Sequence, residues 1–219
     1  MKKIPTLFER EYKDHKVIGI RNKVTPGMEW VLEGKGEATI KIDGSCCAII
    51  DGYLYRRYDA KKGKQPPQGA IPCCPPDPVT GHWPHWVLVD RTKPDDRWYW
   101  EAYANSNPHA LCNGTYEAIG PHFQGNPYKY HYDFLMPHGI HVVTVDRSFE
   151  GIREYLASHN IEGLVFWLDG EPRCKIKRTD FGFSWPKSGP LLSERDVKTA
   201  AEKLQELNRP NLQGVDDDE

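Results

Sequence analysis

The sequence predicts an α+β domain in which antiparallel strands outnumber helices. Short segments rich in β-branched and aromatic residues end at Gly, Asp or Asn, as antiparallel strands usually do. Helical patterns near residues 148–159 and over residues 193–207 supply the helices. The 219 residues are 38% hydrophobic and 27% charged, which is ordinary for a globular domain and excludes a chain that is disordered throughout.

Three strand-like runs come early in the chain, at residues 37–42, Ser45–Ile50 and residues 53–58. Asp43-Gly44 and Asp51-Gly52 separate these runs, and Asp-Gly between two such runs is a strong signal for a tight β-turn. We therefore predict a three-stranded meander.

Proline dominates the next segment. Residues 64–86 contain seven prolines, which cannot donate ladder hydrogen bonds, so we expect an excursion over the surface rather than central sheet. Four potential metal ligands in this segment lack the paired spacing of a zinc site, which favours a Pro-rich loop. They are Cys73, Cys74, His82 and His85. Trp83 and Trp86 either stack on an unpaired base or anchor the loop as a hydrophobic plug, and we favour the plug.

The last third of the chain predicts a helix near residues 148–159 and strands at Gly163–Leu168 and residues 173–177. Residues 193–207 open with a cap-like Ser-Glu-Arg-Asp run and carry apolar residues at helical spacing, which predicts an amphipathic helix. We therefore divide the chain into a domain of residues 1–190 and a tail of residues 191–219 that holds this helix and an acidic end.

The charge balance argues against a protein that binds nucleic acid by its overall charge. The net charge is −2, and four acids stand at residues 216–219, but a local basic groove remains compatible with this total.

Six cysteines that include two adjacent pairs do not resemble a disulfide framework, so we expect reduced thiols. Residues 1–10 lack the apolar stretch of a signal peptide, and no window reaches the ~20 apolar residues of a membrane span. We expect a cytoplasmic protein without membrane contact.

A lysine ends the first of the predicted strands. Lys41 stands just ahead of the first Asp-Gly turn, in a Lys-x-Asp-Gly string that is weak evidence of function by itself. Further along, Glu162 precedes an apolar strand, and Lys175 and Lys177 share one strand face because strand residues alternate. Together these groups suit attack by a lysine amine on a nucleotide α-phosphate.

Such an attack requires an unprotonated amine, whereas the pKa of a free lysine is about 10.4. We expect Lys175, Lys177 and a metal ion held by Glu162 to lower the pKa of Lys41. The same positive charges would hold the α-phosphate and stabilise the departing pyrophosphate.

Lys-x-Asp-Gly, Glu-Gly-φ-Val-φ and Lys-x-Lys, in this order, resemble motifs I, IV and V of the covalent nucleotidyltransferases, which comprise ATP-dependent DNA and RNA ligases and mRNA capping enzymes. Residues 115–128 resemble motif III in the form found in RNA ligases. Boxes spread over about residues 35–187 are similar to the RNA ligase family that includes the vertebrate 5′-3′ RNA ligase. These boxes are residues 41–47, 54–59, 81–86, 125–128, 135–139, 161–163 and 182–186.

The resemblance implies a role for each matching residue. Lys41 is the adenylated nucleophile, and Glu162 is the carboxylate that binds the catalytic metal. The nucleotide-binding residues are Ile40, Arg57 (at the ribose and phosphate side of the nucleotide, or at the RNA end), Glu117 (at the ribose hydroxyls), Phe134, Lys175 and Lys177. Arg56 is the alternative to Arg57, because strand alternation allows only one of the two to line the pocket. Phe134 stacks on adenine or is an ordinary core residue.

The resemblance also implies an activity. The chain is expected to be an ATP-dependent 5′-3′ RNA ligase with an ATP-grasp-like adenylation domain in residues 1–190. It would use ATP with Mg²⁺ or Mn²⁺, act as a monomer, and join RNA ends that carry a 5′-phosphate and a 3′-hydroxyl. About 30 residues follow the last box, too few for a separate OB domain, which favours RNA ends. The alternatives are a GTP-dependent capping-type guanylyltransferase and a non-catalytic RNA-binding module.

A basic run follows the supposed active site. Residues 56–64 hold five Lys or Arg residues in nine positions and are a candidate for contact with RNA phosphates, with a solvated surface as the alternative.

We interpret Asp43 as a residue that shapes the turn, and His138 and His141 as structural residues.

Overall fold

The computed structural model describes residues 3–14, 16–78 and 80–185. The strands in these residues are β1 (Phe8–Lys13), β2 (Lys16–Val24), β3 (Glu37–Lys41), β4 (Ser45–Ile50), β5 (Tyr53–Ala60), β6 (Ile71–Pro72), β7 (Trp83–Leu88), β8 (Gly114–Ile119), β9 (Phe134–Pro137), β10 (Val142–Val143), β11 (Gly163–Leu168) and β12 (Glu171–Lys177). The α-helices are α1 (Arg97–Asn105) and α2 (Phe149–Ser158).

The strands form one hairpin and two larger sheets. β1 pairs with β2, the first large sheet has the order β10-β3-β11-β12, and the second has the order β6-β7-β5-β4-β8-β9. All of these strand pairs are antiparallel. The predicted α+β class with predominantly antiparallel strands is confirmed.

Each large sheet packs against one α-helix. Ile152 and Leu156 of α2 pack with Phe166 of β11 in the core of the first sheet. Ala102 of α1 packs with Tyr116 of β8 in the core of the second sheet. These two cores hold in place the strands that carry Lys41, Glu117 and Lys175.

The predicted meander is correct only at its second turn. β4 and β5 form a hairpin through Asp51 and Gly52, whose φ angles of 51° and 78° are typical of a type I′ turn. β3 instead pairs with β10 and β11, so the chain crosses from one sheet to the other at Asp43 and Gly44. A Cβ on Gly44 would lie 2.5 Å from the carbonyl oxygen of Ala118. Glycine is therefore needed here for close approach to β8.

The expectation that residues 64–86 run over the surface outside the sheets is wrong for the C-terminal end of this segment. β7 lies inside the second sheet between β6 and β5, and His85 and Trp86 are buried. The Pro84 carbonyl accepts a hydrogen bond from the Cys73 N–H at 2.9 Å, on the β6 side of the strand. Because the N and C=O of one residue point to the same side of an antiparallel strand, the missing N–H of Pro84 removes no bond to β5. Burial of Trp86 agrees with the hydrophobic plug.

The predicted helix near residues 148–159 is confirmed as α2, and Ser148 caps it by accepting a hydrogen bond from Gly151 N–H at 3.0 Å. The sequence patterns do not predict α1, which is rich in Trp and Tyr and has no side-chain N-cap.

The predicted helix at residues 193–207 and the acidic tail lie outside the described residues. The helices among the described residues do not combine the length and the hydrophobicity of a membrane span.

Gly163 begins β11 and lies opposite both Lys41 of β3 and Lys177 of β12. A Cβ on Gly163 would lie 2.1 Å from the carbonyl oxygen of Ile176. Gly163→Ala should therefore lower the free energy of unfolding by about 1–3 kcal/mol through overpacking, measured by urea denaturation. Gly19→Ala in β2 is the control, because the nearest atom would be 3.9 Å away, and it should change the free energy by less than about 0.5 kcal/mol. Equal effects at both positions would contradict this account.

Candidate functional site

A cleft with a volume of about 470 Å³ opens between the two large sheets. Residues of β3, β11 and β12 line one side of it, and residues of β4, β5 and β8 line the other. Five residues of the predicted site line this cleft, namely Ile40, Lys41, Arg57, Glu117 and Lys175. The structure thus brings together residues that are far apart in the sequence.

Glu162 lies buried beside the cleft and binds two lysines. Its Oε2 accepts a hydrogen bond from Lys41 Nζ at 2.6 Å, and its Oε1 forms an ion pair with Lys177 Nζ. The strand register explains this arrangement, because the next residue, Gly163, lies opposite both lysines. Pairing of β3, β11 and β12 therefore assembles the three charged groups.

The pKa of Lys41 differs from the expectation. Burial acts to lower this pKa, but the carboxylates of Glu162, Glu117 and Asp43 act together to raise it, and it lies above its usual value. The expected lowering by nearby cations is therefore wrong for the free protein. The reason is that Glu162 contacts Lys41 directly, so the ammonium form is stabilised.

Lys175 is the lysine in the cleft whose pKa falls. Burial, followed by the ammonium groups of Lys41 and Lys177, lowers the pKa of Lys175 to about 8. Its backbone is fixed by residues 5–7, since Lys175 N–H donates to the Pro5 carbonyl at 3.0 Å and Leu7 N–H donates to the Lys175 carbonyl at 2.8 Å. An anion bound next to this side chain would favour its charged form.

The two adjacent arginines of β5 point to opposite faces of the strand. Arg57 lines the cleft and donates from Nε to Asp59 Oδ1 at 2.8 Å. Arg56 Nε lies 2.5 Å from Oδ1 of Asp96, whose side chain is only 1% exposed. The geometry therefore places Arg57, and not Arg56, on the cleft wall.

Glu117 belongs to a compact group of donor atoms. It lies on β8 opposite Cys46 of β4, and its Oε1 is 3.1 Å from His138 Nε2. His138 Nδ1 is in turn 2.9 Å from Thr115 Oγ1. Glu117 Oε2 is buried and has no hydrogen-bond partner among the described residues. Burial raises the pKa of the Cys46 thiol to about 12.

Phe134 does not line the cleft. It is 2% exposed and packs against Tyr130 and Tyr132, so its position fits the core alternative. The aromatic residues that line the cleft are Tyr99 of α1 and Trp167 of β11.

Asp43 holds the segment in which the chain crosses between the sheets. Its Oδ2 accepts a hydrogen bond from Trp185 Nε1 at 2.6 Å, and its N–H donates to Tyr128 Oη at 2.6 Å. Both contacts agree with the interpretation that Asp43 shapes the backbone after Lys41.

Sequence reasoning gave Cys46 no role and interpreted His138 as structural, yet both line the cleft. The signal in the sequence was their presence in two of the family boxes. Strand alternation adds that Cys46 and the core residue Cys47 point to opposite faces. His138 lies close to Cys46 because of the register between the strands of the second sheet. Local sequence patterns do not predict this register.

Two alanine variants separate the roles of the neighbouring arginines. Arg56→Ala leaves the buried Asp96 carboxylate without its ion pair and should lower the free energy of unfolding by about 2–3 kcal/mol. Arg57→Ala removes a pair with Asp59, whose side chain is 45% exposed, and should cost less than about 1 kcal/mol. Urea denaturation of both variants tests this order, and a larger loss for Arg57→Ala would refute it.

Charged Lys175 should destabilise the free protein. Its pKa is about 8 against an ordinary 10.5, so between these values the unfolded chain binds more protons at Lys175 and stability rises with pH. Lys175→Met should therefore have a higher Tm than wild type at pH 7, by about 2–4 °C per kcal/mol gained. The difference should shrink as the pH rises above about 8. In contrast, Lys177→Met should lower the Tm at pH 7, because Glu162 loses one of its two cations. A Tm gain for Lys175→Met that grows with pH would be inconsistent with this sign.

Comparison with known proteins indicates a distant relative. No known protein-family model matches the chain. The chain is 25% identical to RNA ligase 1 of Danio rerio over an alignment of 278 positions, which covers 89% of this chain and 85% of that protein. This similarity supports a distant relationship between the chain and an RNA ligase.

Proposed function

We propose that this protein is an ATP-dependent RNA ligase that works through a lysine-AMP intermediate at Lys41. The observation that carries the proposal is the position of the Lys41 amine, which lies on the wall of a cleft and contacts the buried carboxylate of Glu162 at 2.6 Å. The similarity to RNA ligase 1 of Danio rerio supports RNA as the substrate.

The nucleotide is proposed to lie in the cleft between Lys41 and Glu117. Lys41 and Lys175 would flank the α-phosphate from the first sheet, and Arg57 would approach it from the second sheet. The buried Oε2 of Glu117 is available to accept a hydrogen bond from a ribose hydroxyl. Ile40 lines the same cleft next to Lys41.

Three nucleotidyl transfers make up the proposed reaction. The Lys41 nitrogen attacks the α-phosphorus of ATP, so that a P–N bond forms while the bond to pyrophosphate breaks. A 5′-phosphate oxygen of RNA then attacks the same phosphorus, which breaks the P–N bond and restores the lysine. Finally, an RNA 3′-hydroxyl attacks the activated 5′-phosphate, forms the phosphodiester and expels AMP. The cleft residues act mainly by positioning and by charge stabilisation.

Lys41 has to lose a proton before it can attack. Its ion pair with Glu162 favours the ammonium form, so this pair must loosen when the nucleotide binds. The carboxylate oxygens of Glu162 suit Mg²⁺ or Mn²⁺ by donor type, provided that Glu162 exchanges one of its lysines for the ion. When bound, such an ion shields phosphate charge and competes with Lys41 for Glu162.

An adenylation domain of the nucleotidyltransferase type is the fold proposed for this chemistry. Two antiparallel sheets that enclose a cleft, with Lys41 at the end of β3, support it. The exposed lysines Lys61, Lys62 and Lys64 follow β5, which carries Arg57, and are proposed to contact RNA phosphates near the cleft.

Intact-mass measurement tests the covalent step. Incubation with Mg²⁺ and ATP should add one AMP to the wild-type protein and none to Lys41→Met. Glu162→Gln should adenylate about 10²–10³-fold more slowly, because it loses the carboxylate proposed to hold the catalytic metal ion. Lys35→Met removes an exposed lysine outside the cleft and should behave as wild type. An AMP adduct mapped to a residue other than Lys41 would refute the mechanism.

Substrate assays test the nucleotide and the polymer. Labelled ATP and GTP supplied separately should give labelling with ATP, and labelling with GTP alone would indicate a capping-type enzyme. RNA with a 5′-phosphate should be sealed to a 3′-hydroxyl end, whereas RNA with a 5′-hydroxyl should not. Adenylation without any transfer to 5′-phosphorylated RNA would contradict the ligase assignment.

A further inference from the structure

We propose that Cys46, Glu117 and His138 form a binding site for one divalent cation of the zinc class, on the second-sheet side of the cleft. One donor atom from each residue, the Cys46 sulfur, a Glu117 oxygen and a His138 ring nitrogen, lies within 4.8 Å of the other two. Among the described residues, this is the group of three His, Cys, Asp or Glu side chains whose donor atoms lie close enough to share one metal ion.

Three neighbouring strands position these ligands. Cys46 of β4 lies directly opposite Glu117 of β8 in the ladder. His138 follows β9 and extends its pairing with β8, because its N–H donates to the Thr115 carbonyl at 3.1 Å. The ligands therefore stand on hydrogen-bonded sheet rather than on loops, and sites built on such elements hold their geometry more accurately.

The separations are close to those of a tetrahedral zinc site. Zinc lies about 2.0–2.1 Å from nitrogen or oxygen ligands and about 2.3 Å from sulfur, which places a nitrogen and an oxygen ligand about 3.3 Å apart. His138 Nε2 and Glu117 Oε1 are 3.1 Å apart. The Cys46 sulfur lies at most 4.8 Å from the Glu117 and His138 donor atoms, and a zinc site requires about 3.6 Å between sulfur and these atoms. A small rotation of the Cys46 side chain can supply this difference.

The surroundings match those of a metal ligand set. Thr115 Oγ1, 2.9 Å from His138 Nδ1, can accept the Nδ1–H. The Nε2 lone pair is then available to a cation that replaces the proton between Nε2 and Glu117 Oε1. The buried Oε2 of Glu117 offers a further acceptor that has no partner among the described residues. Binding of the ion would release the Cys46 thiol proton to water and replace the contact of this thiol with Arg57. The resulting thiolate and the Glu117 carboxylate would together carry two negative charges, which neutralise a divalent ion.

The donor types distinguish this site from Glu162. Sulfur and imidazole ligands favour zinc-class ions, whereas carboxylate oxygens favour Mg²⁺ and Mn²⁺. The fourth coordination position faces the cleft, because all three ligands line it. An open fourth position leaves room for water or another small ligand.

The metal site has a consequence that rests on the proposed function. Glu117 is also the proposed ribose ligand, so a cation that occupies its carboxylate excludes the ribose. Zn²⁺ is therefore expected to compete with the nucleotide and inhibit adenylation.

Cobalt substitution tests the metal site without any nucleotide. Titration of the reduced full chain with Co²⁺ should give a sulfur-to-cobalt charge-transfer band that saturates at one ion per chain and is abolished by Zn²⁺. The band should be missing from Cys46→Ser. Thr115→Val should weaken cobalt binding by about 10-fold or more, because the orientation of His138 is lost.

Cys74→Ser is the matched control, because Cys74 lies in the Pro-rich segment with other potential ligands, and this variant should keep the band. A wild-type protein without the band would overturn the metal site. So would a band that persists in Cys46→Ser or disappears in Cys74→Ser, since the ion would then be bound elsewhere.

Adenylation assays with Zn²⁺ test the competition. The Zn²⁺ concentration that halves adenylation should be at least about 10-fold higher for Cys46→Ser than for wild type, each measured relative to the same protein without zinc. Equal sensitivity would overturn the competition. Failure of the proposed function is distinguishable, because a wild-type protein that never forms an AMP adduct would still give the cobalt band.

Discussion

The buried carboxylate of Glu162 depends on its two ammonium partners. A carboxylate removed from water is costly unless it is paired, and Glu162 is paired with Lys41 on one side and Lys177 on the other. This requirement fixes the register of β3, β11 and β12 at their ends, because all three charges must meet. Gly163 permits the close approach, since a side chain there would collide with the backbone of β12. The residue proposed as nucleophile is thus also part of the ion-pair network that holds the first sheet.

The cleft exists because the chain changes sheets immediately after Lys41. An ordinary Asp-Gly hairpin would have kept β3 and β4 in one sheet and left the lysine on a flat surface. Instead, Gly44 passes close to the carbonyl of Ala118, and Asp43 is held by Tyr128 and Trp185. The crossing places the two sheets on opposite sides of one cavity, so that each sheet contributes charged side chains to it.

The two sides of the cleft carry different kinds of polar groups. Lys175 is buried close to two other ammonium groups, which lowers its pKa and makes its charged form unfavourable in the free protein. An anion bound beside Lys175 would favour the charged form of this side chain. On the other side of the cleft, the Cys46, Glu117 and His138 group presents ligands of a different chemical type. The two sides of the cleft therefore differ in the chemical type of the groups that they offer to a ligand.

Local patterns in the sequence determined the antiparallel strands, helix α2, the hairpin at Asp51 and Gly52, and the charged residues whose grouping suggested phosphate chemistry. Alternation along β5 also showed that Arg56 and Arg57 could not both line one pocket. Only the tertiary structure decided which arginine does so, that Phe134 belongs to the core, that β7 is sheet despite its proline, and that Cys46 and His138 meet Glu117. Turns and strand periodicity are set by neighbouring residues, whereas these outcomes depend on the register between distant strands. The pKa of Lys41 also depends on the tertiary structure, because it is set by the charges that lie nearest to the amine.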